Sequence, residues 1–418
     1  MAPVQPNRDR RLGPARSGRT AGGRPADRGA GAAQPHAQRS VLCVGKDRRM
    51  IDRRRSSRIR PRLAALLEML PLPALMAASE TLTLEGHGTT VTYSPSVRLR
   101  LASVDRDPCH CCPSTKPPRD ALLKLARDGA ALGCREALLT LDGRQTAPGG
   151  IPRPAPVEFD QATSLSHLAE MARVVLDETA LLPHLDPGLL TAADYVRLRP
   201  HAASMRIMLE SGADRLCDPG GPHHGSPDKG PARRLAAIRA AGRARVPLAT
   251  GLPIGIGETR SERIEALAAI RDIHRRHGHI QQVAIHDARP DAPAEEHLWT
   301  IAAARLILGP QMTIQAPPDL RTPDALGMQL RAGVNDWGSV HPDAAEPAHP
   351  EAPWAHRNLL EQRTRAAGRR LVERLAIGPR HALDADKWVD PALAPRIGRA
   401  IDARGLPRRR RAHLVAVT

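Results

Sequence analysis

Aromatic side chains are scarce in this chain. Its 418 residues hold one Phe, two Tyr and four Trp, so a core has to be assembled from Leu, Ile, Val and Ala rather than from rings. Cysteine is sparse as well. Six in a chain this long do not make a disulfide framework, and reduced thiols in a cytoplasmic protein are the expectation. Long hydrophobic runs are missing. The apolar stretch from Leu63 to Ala78 is interrupted by Glu68, Pro71 and Pro73 and is too short to span a bilayer. No hydrophobic signal core follows Met1, which argues against secretion. Acidic residues are nearly absent from residues 1–62, where seventeen Lys/Arg face four Asp, so +13 of the net +18 sits there. The remainder is close to neutral for its size. A nucleic-acid binder basic along its whole length would look different, so neither a membrane nor a nucleic-acid partner is expected.

What is present divides the chain in three. Residues 1–62 are Arg, Gly, Pro and Ala with few bulky apolars and read as a disordered basic arm. Residues 63–400 carry periodic structure, and residues 401–418, with four consecutive arginines from Arg408, read as a basic solvated tail. Within the middle segment the pattern predicts a helix over Leu63–Ala78. Strands follow at Val91–Tyr93 and Val97–Leu101, parted by Ser94-Pro95-Ser96. A helix over Arg119–Leu132, a buried strand over Glu136–Leu141, a Pro/Gly loop from Ala147 to Pro156 and a helix over Leu165–Leu181 come next.

The alternation then becomes regular. Strands are expected at Ser204–Leu209, Val246–Ile254, Gln281–Ile285, Met312–Gln315 and Val334–Trp337. Helices are expected at Pro231–Ala241, Glu262–His277, Glu295–Leu308 and Pro323–Arg331. Repeated strand–helix units argue an α/β fold with a parallel sheet, and their number favours a closed (β/α)8-type, TIM-like barrel over an open sheet. Such a barrel carries its chemistry at the carboxyl ends of the strands. The pattern puts a cysteine cluster, Glu210, Gly255 to Glu258 and Trp337 there.

Cys109, Cys111 and Cys112 fall within four residues, directly after a predicted strand. The C-x2-C spacing of Cys109 and Cys112 fits zinc, an iron–sulfur cluster or a redox dithiol. No second C-x2-C follows, which argues against a closed four-thiolate zinc site. Cys43, Cys134 and Cys217 stand alone and read as small apolar residues. From Gly251 to Glu258 a strand enters a glycine turn that opens a helix. Glycines there let a ligand approach the backbone and the helix start offers N–H groups, although an ordinary βα turn fits the spacing as well.

Several stretches together resemble one family. They are Gly225-Ser226-Pro227-Asp228-Lys229, Thr250-Gly251 through Gly255-Ile256-Gly257-Glu258-Thr259, Ala304-Arg305-Leu306-Ile307-Leu308-Gly309-Pro310, Ile314-Gln315-Ala316-Pro317-Pro318, Asn335-Asp336-Trp337-Gly338 and Pro350-Glu351-Ala352-Pro353-Trp354. In this order they are similar to the radical S-adenosylmethionine half of FO synthase, 7,8-didemethyl-8-hydroxy-5-deazariboflavin synthase, from about Thr92 to Trp388. The resemblance implies a radical S-adenosylmethionine barrel. It also implies a 4Fe–4S cluster held by C-x3-C-x2-C, with S-adenosyl-L-methionine as cosubstrate. The resemblance implies as small-molecule substrate a hydroxybenzyl ribityl-uracil adduct, closed to the deazaflavin FO with loss of ammonia, and a partner subunit or enzyme that makes that adduct.

Carried over residue by residue, Cys109 and Cys112 match the second and third cluster cysteines. Asp105 stands at the first, and Cys111 replaces a tyrosine between the last two. The metal set is therefore Cys109 and Cys112 with Asp105 or Cys111 as third ligand. Glu210, Gly251, Gly255 and Glu258 match cofactor-facing positions, and His286-Asp287-Ala288-Arg289 stands where the family has Gln-Asn-Phe-Arg. Two readings stay open: a ring-closing radical enzyme, or a barrel that has lost the chemistry and binds deazaflavin precursors.

Overall fold

The computed structural model describes residues 61–101, 118–141, 161–288, 293–322, 324–342 and 354–408. Asp105, Cys109, Cys111 and Cys112 lie outside them, as do the arm up to residue 60, the loop from Ala147 to Pro156 and the last ten residues.

In chain order the elements are α1 (Pro61–Met69), α2 (Leu72–His87), β1 (Thr90–Arg100), α3 (Arg119–Ala131), β2 (Glu136–Thr140), α4 (Gln161–Glu178), β3 (Leu182–Asp186), α5 (Ala192–Leu198), β4 (Ser204–Arg206) and α6 (Pro231–Arg243). They continue with β5 (Leu248–Ile254), α7 (Arg260–His277), β6 (Ile280–Asp287), α8 (Ala294–Leu308), β7 (Thr313–Gln315), α9 (Ala325–Ala332), β8 (Asp336–Val340), α10 (Ala355–Ala366), β9 (Arg370–Glu373) and three short helices, α11 (Pro379–Leu383), α12 (Ala385–Trp388) and α13 (Ala394–Ala400). Strands β1 to β8 are parallel and each pairs with the next. β1 also pairs with β8, so the sheet closes into an eight-stranded barrel. The expected (β/α)8 barrel is the observed fold.

Local chemistry accounts for the elements. In α7, Thr259 and Glu262 form a reciprocal capping box at the start, Gly278 ends the helix at φ 72°, and His274 to His277 put basic groups in its last turn. Ile264, Leu267, Ile270 and Ile273 supply its buried face. α8 is buried almost all round because α2 covers its outer side. Beside them, Ser79 Oγ of α2 donates to Ala332 O at the end of α9, and Trp299 Nε1 of α8 donates to Leu67 O of α1. As the composition demands, the core is Leu, Ile, Val and Ala, with Tyr93, Tyr195, Trp299, Trp337 and Trp388 buried in it. Cys134 is a buried core residue, as expected.

The structure corrects four sequence expectations. The helix over Leu63–Ala78 is two helices that break at Leu70-Pro71, the second running on to His87. Ser94-Pro95-Ser96 does not divide β1. On the side Pro95 faces, β9 ends opposite Tyr93 and β2 begins opposite Ser96, so the missing proline N–H falls in the gap between two partners. β3 and β9 were not anticipated. Trp337 is not at the mouth: it is the second residue of β8, buried, and its Nε1 donates to Thr364 Oγ1 of α10.

The amino end of the barrel is plugged by the chain after β9. Arg374, 2% exposed, donates to both oxygens of Asp336 (2.6 and 3.0 Å) and lies 3.9 Å from Glu136. Ser94 and Ser339 donate to Glu136, and Thr92 donates to Asp336. Next in the chain, Ala376 O accepts from Ser204 Oγ and Gln281 Nε2, and Gly378 N donates to Gln281 Oε1. Because the Ser204 hydroxyl proton points at Ala376, His184 Nδ1 is the donor in its 2.6 Å contact with Ser204 Oγ. Leu375, Ala376 and Ile377 pack with Val389 and Ile397 in a second apolar cluster beneath the barrel.

Candidate functional site at the barrel mouth

Side chains alternate along a strand, so the inward set of each strand can be read from its pairing. At the carboxyl end this set is polar. Arg98 Nη2 approaches His341 Nε2 (3.3 Å), and His341 Nδ1 is hydrogen-bonded to Ser96 O (2.9 Å). Since the carbonyl can only accept, His341 carries its proton on Nδ1 and takes the Arg98 donor on Nε2. Burial, opposed by that backbone bond, keeps this ring below its usual pKa. Arg206, the last residue of β4, is held by Nε and Nη2 on Asp186 Oδ2 (3.0 and 2.6 Å). His286 of β6 is within electrostatic range of Arg206 and Glu210. Burial pushes its pKa down, Glu210 opposes that, and Arg206 adds to it. Deeper in the barrel, near the start of β6, Gln282 Nε2 donates to Gln315 Oε1 (2.8 Å). Gly338, at φ 73°, leaves room for Gln315, whose amide nitrogen would lie 2.3 Å from a Cβ there.

Glu210 lies just beyond β4 in a strained backbone. The Leu209 N–H donates to Gly251 O, continuing the sheet, and the Ser211 N–H then donates back to Leu209 O (3.0 Å). That closes a three-residue turn with Glu210 at its apex, φ 69°, the left-handed region that non-glycine residues avoid. Its carboxylate Oε1 lies 3.9 Å from both Lys229 Nζ and Arg234 Nη1. Arg234 is itself fastened to Asp228 O and Met208 O, which ties the loop after Glu210 to the strand end.

Gly251 is a buried mid-strand residue of β5. A Cβ there would lie 2.0 Å from Ala284 O, so glycine is what lets β5 and β6 approach. Gly255 opens the turn at φ 82°. Glu258 Oε1 accepts from Gly255 N and Arg263 Nε, and Oε2 accepts from Ile256 N. The N–H groups of Gly255 and Ile256 are therefore occupied from within the chain: the turn carries its own anion. Glu210 and Glu258 flank one closely packed spot with Pro253, Arg263 and Ala266, against α7, that leaves no room for a water molecule, while Gly251 lies deeper in the strand.

The cysteine segment leaves the end of β1 at Leu101 and re-enters the described structure at Pro118, ahead of α3. Among the described residues no group of three or more His, Cys, Asp or Glu is placed to hold a metal ion. Sequence reasoning missed Asp186 with Arg206, His223, and Lys229 with Arg234. Of these only Lys229 carried a signal, as the end of a quoted motif.

A closed parallel (β/α)8 barrel with a polar mouth, a strained glutamate after β4 and a self-capped glycine turn after β5 is an enzyme-type scaffold, with functional groups at the strand ends. The same fold is found in the FeFe-hydrogenase maturase HydG from Carboxydothermus hydrogenoformans (TM-score 0.54, 14% identity, 67% of this chain and 66% of that one). It is found again in methylornithine synthase (TM-score 0.53, 17% identity, 74% and 93%). No protein-family profile matches the chain. It is 40% identical to FO synthase of Nocardia farcinica over 341 residues, 76% of this chain and 39% of that protein. It is 34% identical to the 7,8-didemethyl-8-hydroxy-5-deazariboflavin synthase of Methanopyrus kandleri over 337 residues, 76% of this chain and 100% of that protein. The chain belongs to the 7,8-didemethyl-8-hydroxy-5-deazariboflavin synthase family. It spans less than half the length of the FO synthases it matches.

Proposed function

We infer that this chain is the ring-closing radical half of FO synthesis, acting on a hydroxybenzyl ribityl-uracil adduct and releasing ammonia. The observation that carries the reading is the match to the whole length of the archaeal synthase, on a barrel with a polar mouth. The donor set after β1 fits an iron–sulfur cluster: Cys109 and Cys112 supply two thiolates, and Asp105 or Cys111 the third ligand. A 4Fe–4S cluster with S-adenosyl-L-methionine, when bound, supplies a hydrogen-abstracting carbon radical. The chain's own residues bind and orient. Arg206, fixed by Asp186, presents a guanidinium to substrate carbonyls. Gln282 and Gln315 offer amide donors and acceptors of the kind a uracil ring needs. His286, kept neutral by burial, can both donate and accept. Glu258 acts as a positioning residue that holds the glycine turn in shape. A separate subunit or enzyme supplies the adduct, and residues 1–62 are an appended basic arm to the barrel.

Asp105 at the first ligand position favours a second reading, a barrel that binds deazaflavin precursors without turnover. A carboxylate is a harder ligand than iron–sulfur chemistry prefers. Anaerobic reconstitution with iron and sulfide separates the two. About four irons per chain and a brown chromophore support the enzyme. A colourless wild type beside an Asp105→Cys variant that takes up iron supports the binding protein.

A further inference from the structure

The β1 side of the mouth carries two guanidinium groups and no carboxylate. Thr92, Ser94 and Ser96 turn into the barrel, where they meet Asp336, Glu136 and His341. By alternation Arg98 and Arg100 turn the same way above them, and both keep exposed surface. Neither has an ion-pair partner among the described residues. Arg98 gives one donor, Nη2, to His341 Nε2 (3.3 Å), and His341 is pinned by Nδ1 on Ser96 O (2.9 Å). Burial keeps that ring neutral, so it aims the guanidinium without cancelling its charge. One register row runs from Arg100 through Thr140 to Asp186, and Asp186 already holds Arg206 at 2.6 Å. Asp186 thus stands against three guanidinium groups. Desolvation, then Arg100 and Arg206, push the Arg98 pKa down, and Asp186 opposes them. Deeper in the barrel, Glu136 and Asp336 face Arg374 instead.

We propose that Arg98 and Arg100 form an oxyanion subsite that takes a phosphate monoester at the end of the substrate's ribityl chain, which rests on the functional reading above. A mouth lined by one sign of charge concentrates ligands of the other sign. Two residues apart on one strand, the arginines have Cα atoms about 7 Å apart, within reach of one phosphate group. Planar guanidinium forks suit an anion with several oxygens better than a single hydroxyl. Within that substrate the ribityl chain has the primary hydroxyl that can carry a phosphate. Gln282 and Gln315 lie deeper, so a ring held at their amides sends its chain towards the mouth.

The test is equilibrium binding, without turnover, of ribitylaminouracil, of its terminal phosphate ester and of S-adenosylhomocysteine. Full-length wild type is compared with Arg98→Gln, Arg100→Gln and Arg98→Lys, with folding checked by circular dichroism. Wild type should bind the ester at least about tenfold more tightly than the free polyol, and added salt should narrow that gap. Arg98→Gln and Arg100→Gln should each weaken ester binding by about tenfold and leave the polyol unchanged. Arg98→Lys, which keeps the charge and loses the fork, should recover part of the loss. If wild type binds ester and polyol alike, or the folded variants lose both equally, the subsite is wrong and the functional reading stands. If the variants lose S-adenosylhomocysteine and keep the ester, the arginines serve the cosubstrate carboxylate and the proposal is overturned. If wild type binds neither ribityl compound, both fall.

Discussion

Replacing Arg374 with Met tests whether the plug at the amino end of the barrel holds the strands together. Arg374 makes two charge-assisted bonds to Asp336 (2.6 and 3.0 Å), lies 3.9 Å from Glu136 and donates to Leu375 O (3.0 Å). Burial disfavours its charge, but Asp336 and then Glu136 outweigh that and raise its pKa above the usual value. Both carboxylates are buried, Asp336 at 0% and Glu136 at 2% exposure. Without the guanidinium, Asp336 keeps only Thr92 and the Gly338 N–H, and Glu136 keeps Ser94 and Ser339. Two like charges then share an interior with no cation. Removing one partner of such a buried pair costs about 3–5 kcal/mol. At about 2 cal/mol/K of unfolding entropy per residue, over a barrel of roughly 350 residues, the melting temperature should fall by about 4–7 °C. Adding Asp336→Asn to Arg374→Met should recover about 1–2 kcal/mol by removing one stranded charge. Urea unfolding of the two variants and wild type measures both quantities. A loss under about 1 kcal/mol for Arg374→Met, or strictly additive losses in the double variant, would refute the coupling.

Three shorter predictions follow from the same packing. His274, His279 and His381 have their pKa values lowered, mainly by burial, to about 4, 3 and 4. They fold neutral, so the stability tied to them is present above pH 6.5 and is lost as pH falls towards 4. Each tenfold change in proton affinity is worth about 1.4 kcal/mol, so several kcal/mol should disappear across that window. Urea midpoints that stay flat from pH 7 to pH 4.5 would contradict this. Gly251→Ala should lower stability by about 3 kcal/mol or leave the protein insoluble, because the new Cβ would lie 2.0 Å from Ala284 O; soluble yield and thermal melting report it. Glu258→Gln should cost about 3 kcal/mol, because Arg263 is buried and loses one of its ion-pair partners. The same variant should weaken S-adenosylhomocysteine binding through a loosened turn; unchanged affinity and melting would remove the positioning role.

Along the chain, legibility tracked how local the signal was. Leu248–Ile254 and Arg260–His277 were readable to within a few residues, because alternation, a capping box and a terminal glycine all lie within one unit. The same locality made the barrel readable, since each strand–helix unit repeats the pattern. β3 was not, because Leu182-Pro183-His184-Leu185-Asp186 mixes a proline with two polar residues whose places are set by β2 and β4. Pro95 misled for a related reason: its missing N–H is harmless only because β9 stops and β2 starts on either side of it.

The order of residues alone determined the barrel, the placing of Glu210 and Gly255 beyond strand ends, and the family likeness. These depend on periodicity and on motifs in sequence. Only the tertiary structure decided that Glu258 turns inward on its own glycine turn and that Arg374 closes the barrel opposite the mouth. It alone decided that His223 is buried with both nitrogens unmet. Those facts depend on which distant groups share a small volume away from water, where a lone charge or a bare nitrogen is expensive and its partner is set by packing rather than by spacing.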